Sequence, residues 1–152
     1  MSKVRTCLWF DGKGAEAAEF YVSLIPGSAI ETDYEKGTEP LMVNFHLAGV
    51  PYLALNGGPH YQASPAASIM VMTKDQEETD RLWDALIADG GEESRCAWCV
   101  DRFGVSWQVV PEALVRTVGG PDREGSARAT QAMLQMSKID IATLEAAYAG
   151  ET

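Results

Sequence analysis

Two polar side chains stand on an otherwise apolar, alternating segment and are the first candidates for chemistry. Asn44 and His46 alternate with large apolar residues, the period of two that is typical of a β-strand. A two-residue turn at Ala48-Gly49 would place Asn44 opposite Leu53, so Asn44 and His46 are predicted to share its side, with Gln108 approaching from the second half of the chain. There His46 could act as a general base or as a hydrogen-bonding group for a ligand. The alternative is a solvated, inert His46 at a sheet edge, and a one-residue slip would reverse every side.

Cys96 and Cys99 have the CxxC spacing that also occurs in zinc and redox sites. On a strand, residues three apart face opposite sides, and no second CxxC completes a zinc site. No helix N-terminus is predicted here to lower a thiol pKa. We therefore expect buried, apolar cysteines. Trp98 is a candidate for lining a cleft and stacking on a planar ligand, with core packing as the alternative.

Asn56 begins a glycine-rich stretch that runs to Tyr61 and follows a predicted strand. Glycines allow close approach of the backbone, so this stretch, with Asn56 as a binding residue, could form the lip of a ligand site. A plain connecting turn is the alternative. It is not a phosphate loop, because no Lys followed by Ser or Thr comes after it.

The composition excludes several classes of partner. Of the 152 residues, 46% are hydrophobic and 22% charged, and 12 basic against 22 acidic side chains give a net charge of −10. So acidic a surface, without a basic patch, repels nucleic acid and anionic membranes. Three cysteines are too few for a disulfide framework, and no segment has the length of a signal sequence or membrane span. We expect a cytoplasmic protein.

The elements that would position these residues occur as the same series twice. Matching segments lie 62 residues apart at the first helix and 55 residues apart at the last strand. This predicts an α+β fold in which two βαβββ repeats form a curled mixed sheet around a cleft, followed by C-terminal helices. We predict a single domain over 1–152, with a first unit over 3–57, a second over 66–111 and a helical tail over 112–152. The predicted elements are strands over 4–10, 30–35, 41–47, 50–55, 68–72, 95–100 and 105–110, a helix that ends at Pro26-Gly27, a helix that begins at Asp75, and tail helices from Asp122 to Tyr148.

Several segments resemble one known family. They are Leu8 to Gly12, Leu53 to His60, Asp101 to Pro111 and Gln131 to Met136. These segments are similar to the PhnB-like branch of the vicinal oxygen chelate superfamily, which also contains glyoxalase I, extradiol dioxygenases and fosfomycin-resistance proteins. The resemblance implies paired βαβββ units and a homodimer. Members of this branch commonly carry the label demethylubiquinone methyltransferase.

The resemblance also implies where a metal would bind, in the first and last strand of each unit. The matching positions are Thr6, Leu53, Ser68 and Gln108. A divalent cation needs carboxylate, imidazole or thiolate donors, which these residues lack, so we expect neither metal nor cofactor. A glycine-rich turn of the kind that binds S-adenosylmethionine is missing as well.

We therefore predict a protein that binds a small, partly apolar molecule in a cleft between the repeats. The candidate binding residues are Asn44, His46, Asn56, Trp98 and Gln108. One alternative is an enzyme of the same superfamily, a metal-assisted lyase or dioxygenase or the methyltransferase of the label. Another is a drug-sequestering resistance protein. No nucleic-acid or membrane partner is expected.

Overall fold

The chain folds into two compact units that divide between Ala63 and Ser64. The structure is a computed structural model and describes residues 2–151. Each unit contains one four-stranded mixed sheet with a helix after its first strand. Within the described residues, no helix is long and apolar enough to cross a membrane.

Unit 1 has the strand order β1-β4-β3-β2, in which β1 runs parallel to β4 and the other neighbours are antiparallel. Gly12, with φ +80°, makes the turn out of β1, and Pro26-Gly27 ends the helix as predicted. The elements of unit 1 are β1 (Thr6–Phe10), α1 (Gly14–Leu24), β2 (Ala29–Ile30), β3 (Met42–Leu47) and β4 (Val50–Asn56).

Helix α1 covers one face of this sheet. Val43, Phe45 and Leu47 are buried at alternate positions of β3. The Tyr21 ring of α1 lies 6.4 Å from the Phe45 ring, and small residues such as Ala17 let the helix approach closely. The other face of the sheet carries no helix of unit 1, and we call it the helix-free face of unit 1.

Unit 2 repeats the arrangement with the strand order β5-β8-β7-β6. Its helix begins where predicted, because the Asp75 side chain accepts a hydrogen bond from the Glu78 amide at 2.9 Å. The Thr73 and Thr79 hydroxyls, 2.7 Å apart, join this helix to the first strand. The elements are β5 (Ser68–Thr73), α2 (Gln76–Ile87), β6 (Glu92–Glu93), β7 (Trp98–Val100) and β8 (Ser106–Pro111).

The two-repeat prediction is confirmed, but the first strands are offset differently from the first helices. Thr6 pairs with Tyr52 just as Ile69 pairs with Trp107, an offset of 63 residues on the first strand and 55 on the last. The helices keep an offset of 62, because the loop between strand and helix is one residue shorter in unit 2. Thr6 therefore lies on the α1 side of the sheet, and its match to a metal-ligand position beside Leu53 is wrong, because Cys7 is the residue opposite Leu53. A slip of one residue exchanges the two sides of a strand.

The strand predicted over 95–100 begins later than expected. β7 starts at Trp98, because Cys96 and Ala97 have φ values of 54° and 79°, outside the range of a strand. Their amides donate to the carbonyls of Met136 and Ser137, each at 2.9 Å. The C-terminal tail thus takes over the hydrogen bonds that a longer strand would have made. Of the CxxC pair, Cys99 is buried and Cys96 half-buried.

The tail forms three helices that belong to unit 2 and pack on its sheet. They are α3 (Glu112–Val118), α4 (Arg123–Met133) and α5 (Ile141–Ala149). Gln76, at the start of α2, joins the tail to the unit, since its side chain donates to the Ile139 carbonyl at 3.0 Å and accepts from the Ile141 amide at 2.8 Å. The shared apolar core consists of Ala97, Val110, Leu114, Ala129, Ile139 and Leu144.

Candidate functional site

The helix-free face of unit 1 carries the side chains that alternate with the buried core. Asn44 pairs with Leu53 and His46 with Pro51, so the predicted hairpin register is confirmed. On the neighbouring strand Cys7 lies opposite Leu53. The face therefore brings the following side chains to one surface: Cys7, Trp9, Met42, Asn44, His46, Pro51, Leu53 and Leu55.

A charged trio, formed by Arg5, Glu31 and His46, lies at one end of this face. The Arg5 guanidinium contacts both carboxylate oxygens of Glu31, at 2.8 and 3.1 Å. It also donates to the Tyr52 carbonyl at 3.1 Å and is only 13% exposed. The second Glu31 oxygen lies 3.6 Å from Nδ1 of His46. The Arg5 hydrogen bond is the main cause that lowers the pKa of Glu31, and Glu31 in turn raises the pKa of Arg5.

The opposite end of the same face is apolar. The Trp9 indole stands edge-on to the Tyr61 ring with centroids 5.0 Å apart, and its Nε1 donates to the Gly58 carbonyl at 2.8 Å. Leu55 of β4 lies between Trp9 and Met42 on this face, and Met42 is 51% exposed. In the middle, partial burial raises the pKa of the Cys7 thiol. The face thus passes from a charged end to an apolar end, which suits a molecule with one polar group.

The sheet of unit 2 also has a face that α2 does not cover, and we call it the helix-free face of unit 2. Trp98 pairs with Gln108, at the position that Asn44 and Leu53 occupy in unit 1. The Gln108 side-chain amide donates to the Ser68 hydroxyl at 3.0 Å. The Ser106 hydroxyl is buried, with 1% of the residue exposed, and has no hydrogen-bond partner among residues 2–151. Exposed methionine side chains, Met70 and Met72, continue this face.

Asn56 differs from the other candidate residues in its position. It pairs with Phe10, on the side of the sheet that α1 covers. Its side-chain oxygen Oδ1 accepts from the Gly14 amide at 2.8 Å, and its side-chain NH2 group donates to the Pro40 carbonyl at 2.8 Å. Both ends of the amide are therefore used in holding the start of α1. We assign Asn56 to the support of the fold.

Sequence reasoning missed Arg5 and Glu31. Arg5 is two residues before Cys7, so alternation alone would have placed it on the helix-free face. Glu31 lies 26 residues further along the chain, and no local pattern connects it with Arg5. The ion pair depends on the strand order β1-β4-β3-β2. Arg5 precedes one edge strand and Glu31 follows the other, so the long arginine side chain has to reach across the sheet, past the Tyr52 carbonyl, to meet the carboxylate.

The positions that would hold the superfamily metal do not fit a cation. In the observed register they are Cys7 and Leu53 in unit 1 and Met70 and Gln108 in unit 2. Cys7 is the one strong donor among them, and a single thiol with a carboxamide and two apolar side chains does not supply the three or four donors of a divalent metal site. No group of three His, Cys, Asp or Glu side chains that could hold a metal ion occurs in the part of the chain that the structure describes.

Comparison with known proteins agrees with this fold. The family model of the 3-demethylubiquinone-9 3-methyltransferases matches residues 2–110. A PhnB protein of Bacillus cereus, provisionally described as a 3-demethylubiquinone-9 3-methyltransferase, is 27% identical with a TM-score of 0.63, over 72% of this chain and 99% of its own. Protein PA1353 of Pseudomonas aeruginosa is 22% identical with a TM-score of 0.59, over 74% and 98%.

A third similar structure belongs to a glyoxalase-related enzyme of Fulvimarina pelagi, with 14% identity and a TM-score of 0.50 over 74% of this chain and 91% of its own. A search of curated proteins found no match. The family match spans both sheets and the strands that carry the candidate residues. The chain therefore belongs to the 3-demethylubiquinone-9 3-methyltransferase family, as its resemblance to PhnB-like proteins predicts.

Proposed function

We propose that this protein binds a small, partly apolar molecule on the helix-free faces of its sheets, through Asn44, His46, Trp98 and Gln108, and without the superfamily metal. The observation that carries the proposal is the unused hydrogen-bonding capacity on apolar surface. Within residues 2–151, the Asn44 side chain makes no hydrogen bond, and His46 has only the Glu31 carboxylate beside one of its two ring nitrogens, although both side chains lie half-buried on the sheet. A ligand that supplies the remaining partners would be favoured, because polar groups on a covered surface need them.

The surroundings of these groups describe the ligand. An amide side chain such as Asn44 both donates and accepts, so it suits a carbonyl or hydroxyl group. Trp98 and the exposed methionine side chains offer flat and adaptable apolar surface. A ligand with a planar apolar body and one or two oxygen substituents satisfies both requirements. The cleft between the repeats, the homodimer and the cytoplasmic location stay predictions.

A binding screen with matched variants tests this proposal. Thermal unfolding of the full chain is measured with a panel of small aromatic alcohols, ketones and carboxylic acids, and hits are titrated by calorimetry. We expect Asn44→Leu and Gln108→Met to lower the affinity of hits at least tenfold. Gln131→Met is the control, since Gln131 is exposed on α4. If both site variants bind every hit as tightly as the unaltered protein, the proposal is wrong.

Methyl transfer is the second candidate, because the matched family carries that description. An S-adenosylmethionine site of the usual kind occupies a parallel sheet with a glycine-rich first turn. Both sheets here are mixed, with the order that the repeats dictate. A ligand present at 100 times its Kd stabilises a protein by about 2.7 kcal/mol. We expect no such shift with S-adenosylmethionine or with divalent metal salts, and a shift with either would favour the enzyme.

A further inference from the structure

The charged trio contains a carboxylate that simple ligand binding does not require. Glu31 is held by two contacts to Arg5, which is itself fixed to the Tyr52 carbonyl and nearly buried. Such a fork of two N–H groups on two oxygens fixes the orientation of a carboxylate. The Glu31 carboxylate is therefore held in one orientation, in which one of its oxygens lies beside the imidazole of His46.

The position of Glu31 decides which ring nitrogen of His46 is free. Its oxygen lies 3.6 Å from Nδ1, close enough to favour a proton on that nitrogen and to stabilise an imidazolium. Nε2 then carries the lone pair. The side chain of His46 is 33% exposed on the helix-free face, so a ligand can reach it.

The other groups around His46 leave Glu31 as its main electrostatic partner. Directly opposite His46 on the neighbouring strands lie Pro51 and Ala29, which carry no charge. Arg5, whose charge Glu31 balances, and the Cys7 thiol are the titratable groups that β1 and the residue before it bring to this face.

Resting on the proposed function, we infer that the charged trio is a proton-accepting site that binds the weakly acidic hydroxyl group of a phenol or enol as its anion. The O–H bond of the ligand breaks, its electron pair stays on the oxygen, and the proton moves to Nε2 of His46. The imidazolium then lies between the ligand oxyanion and the carboxylate of Glu31. Charge is conserved, and no oxidant, reductant or metal takes part.

A chromogenic phenol tests this inference on the full chain. The probe is 4-nitrophenol, whose anion absorbs visible light, and 4-nitroanisole is the matched compound that cannot ionise. At a pH where the free phenol is mostly neutral, we expect addition of the protein to increase the visible absorbance of the 4-nitrophenolate anion. His46→Gln and Glu31→Gln should each abolish that increase, whereas Glu124→Gln, which alters an exposed carboxylate on α4, should retain it.

The pH profile gives a second test that needs no variant. Because the complex holds one proton between the two partners, affinity should be highest at an intermediate pH and fall about tenfold per pH unit on either side. 4-Nitroanisole should show no such bell. If both compounds bind equally at every pH and no visible band appears, the proton-accepting site is refuted while small-molecule binding stands. Stronger anion binding in Glu31→Gln would also refute it, because a bare Arg5 would then be the anion site.

Discussion

Replacement of Asp101 tests whether one buried carboxylate holds the hairpin that presents Trp98 and Gln108. Asp101 is 2% exposed and lies in the turn between β7 and β8. It accepts hydrogen bonds from the Phe103 amide at 2.8 Å and the Val105 amide at 3.0 Å, and its other oxygen accepts from Trp107 Nε1 at 2.8 Å.

The contacts set the expected magnitude. Asp101→Ala leaves three donors without this partner, but the Phe103 amide is only part-buried and can bond to water. The two buried donors, at about 1–3 kcal/mol each, therefore set an expected loss of about 2–6 kcal/mol in the free energy of unfolding. Asp101→Asn keeps an oxygen for the two backbone amides but turns an NH2 group towards the Trp107 indole N–H. Two donors would then face each other, and we expect this to lower the free energy of unfolding by about 1–3 kcal/mol.

A double-mutant cycle isolates the indole contact. Trp107→Phe removes the opposing donor, so its addition to Asp101→Asn should cost less than the sum of the single changes, by about 1 kcal/mol. Urea unfolding followed by far-UV circular dichroism measures all four proteins without relying on tryptophan fluorescence. A strictly additive cycle, or an Asp101→Ala protein within about 0.5 kcal/mol of the parent, would refute the assigned role.

Three further changes test other contacts. Gly57→Ala would place a Cβ 2.3 Å from the Trp9 ring, so we expect a loss of about 1–3 kcal/mol and altered tryptophan fluorescence, and an unchanged melting temperature would contradict this. Gln76→Ala removes the contacts that hold the tail, so amide exchange at Ile141 should accelerate while a change at an exposed α4 glutamine leaves it unaltered. Because the pKa of Glu31 is lowered in the folded state, its contribution to stability is complete above the ordinary value of 4.5 and disappears as pH falls through the lowered one. The stability difference between the parent and Glu31→Gln should therefore shrink in acid, and a constant difference from pH 7 to pH 3 would show that the ion pair is not its source.

Local features made the β3–β4 hairpin predictable from the sequence. Strict alternation through Phe45 and a two-residue turn at Ala48-Gly49 leave one register, and the observed pairs Asn44 with Leu53 and Leu47 with Val50 follow from it. Candidate residues on this hairpin could therefore be assigned to a face correctly.

Features that depend on distant segments could not be predicted in the same way. Thr6 was assigned to the wrong face because the offset that aligns the helices differs by one from the offset that aligns the first strands. Cys96 was predicted to lie on a strand, whereas its φ value of 54° is outside the strand range and its amide donates to the carbonyl of Met136, 40 residues later. The role of Asn56 was hidden because its partners Gly14 and Pro40 lie on other elements.

Because the tail packs into unit 2, the end of the family match and the end of the folded unit lie at different residues. The family match ends at residue 110, yet a protein cut there would leave Ala97 and Val110 without their apolar neighbours and two backbone amides without acceptors. A fragment intended to carry the second sheet alone should therefore run from residue 64 to the end of the helices. The family match therefore ends before the folded unit does, and a shortened protein has to be designed on the bounds of the folded unit.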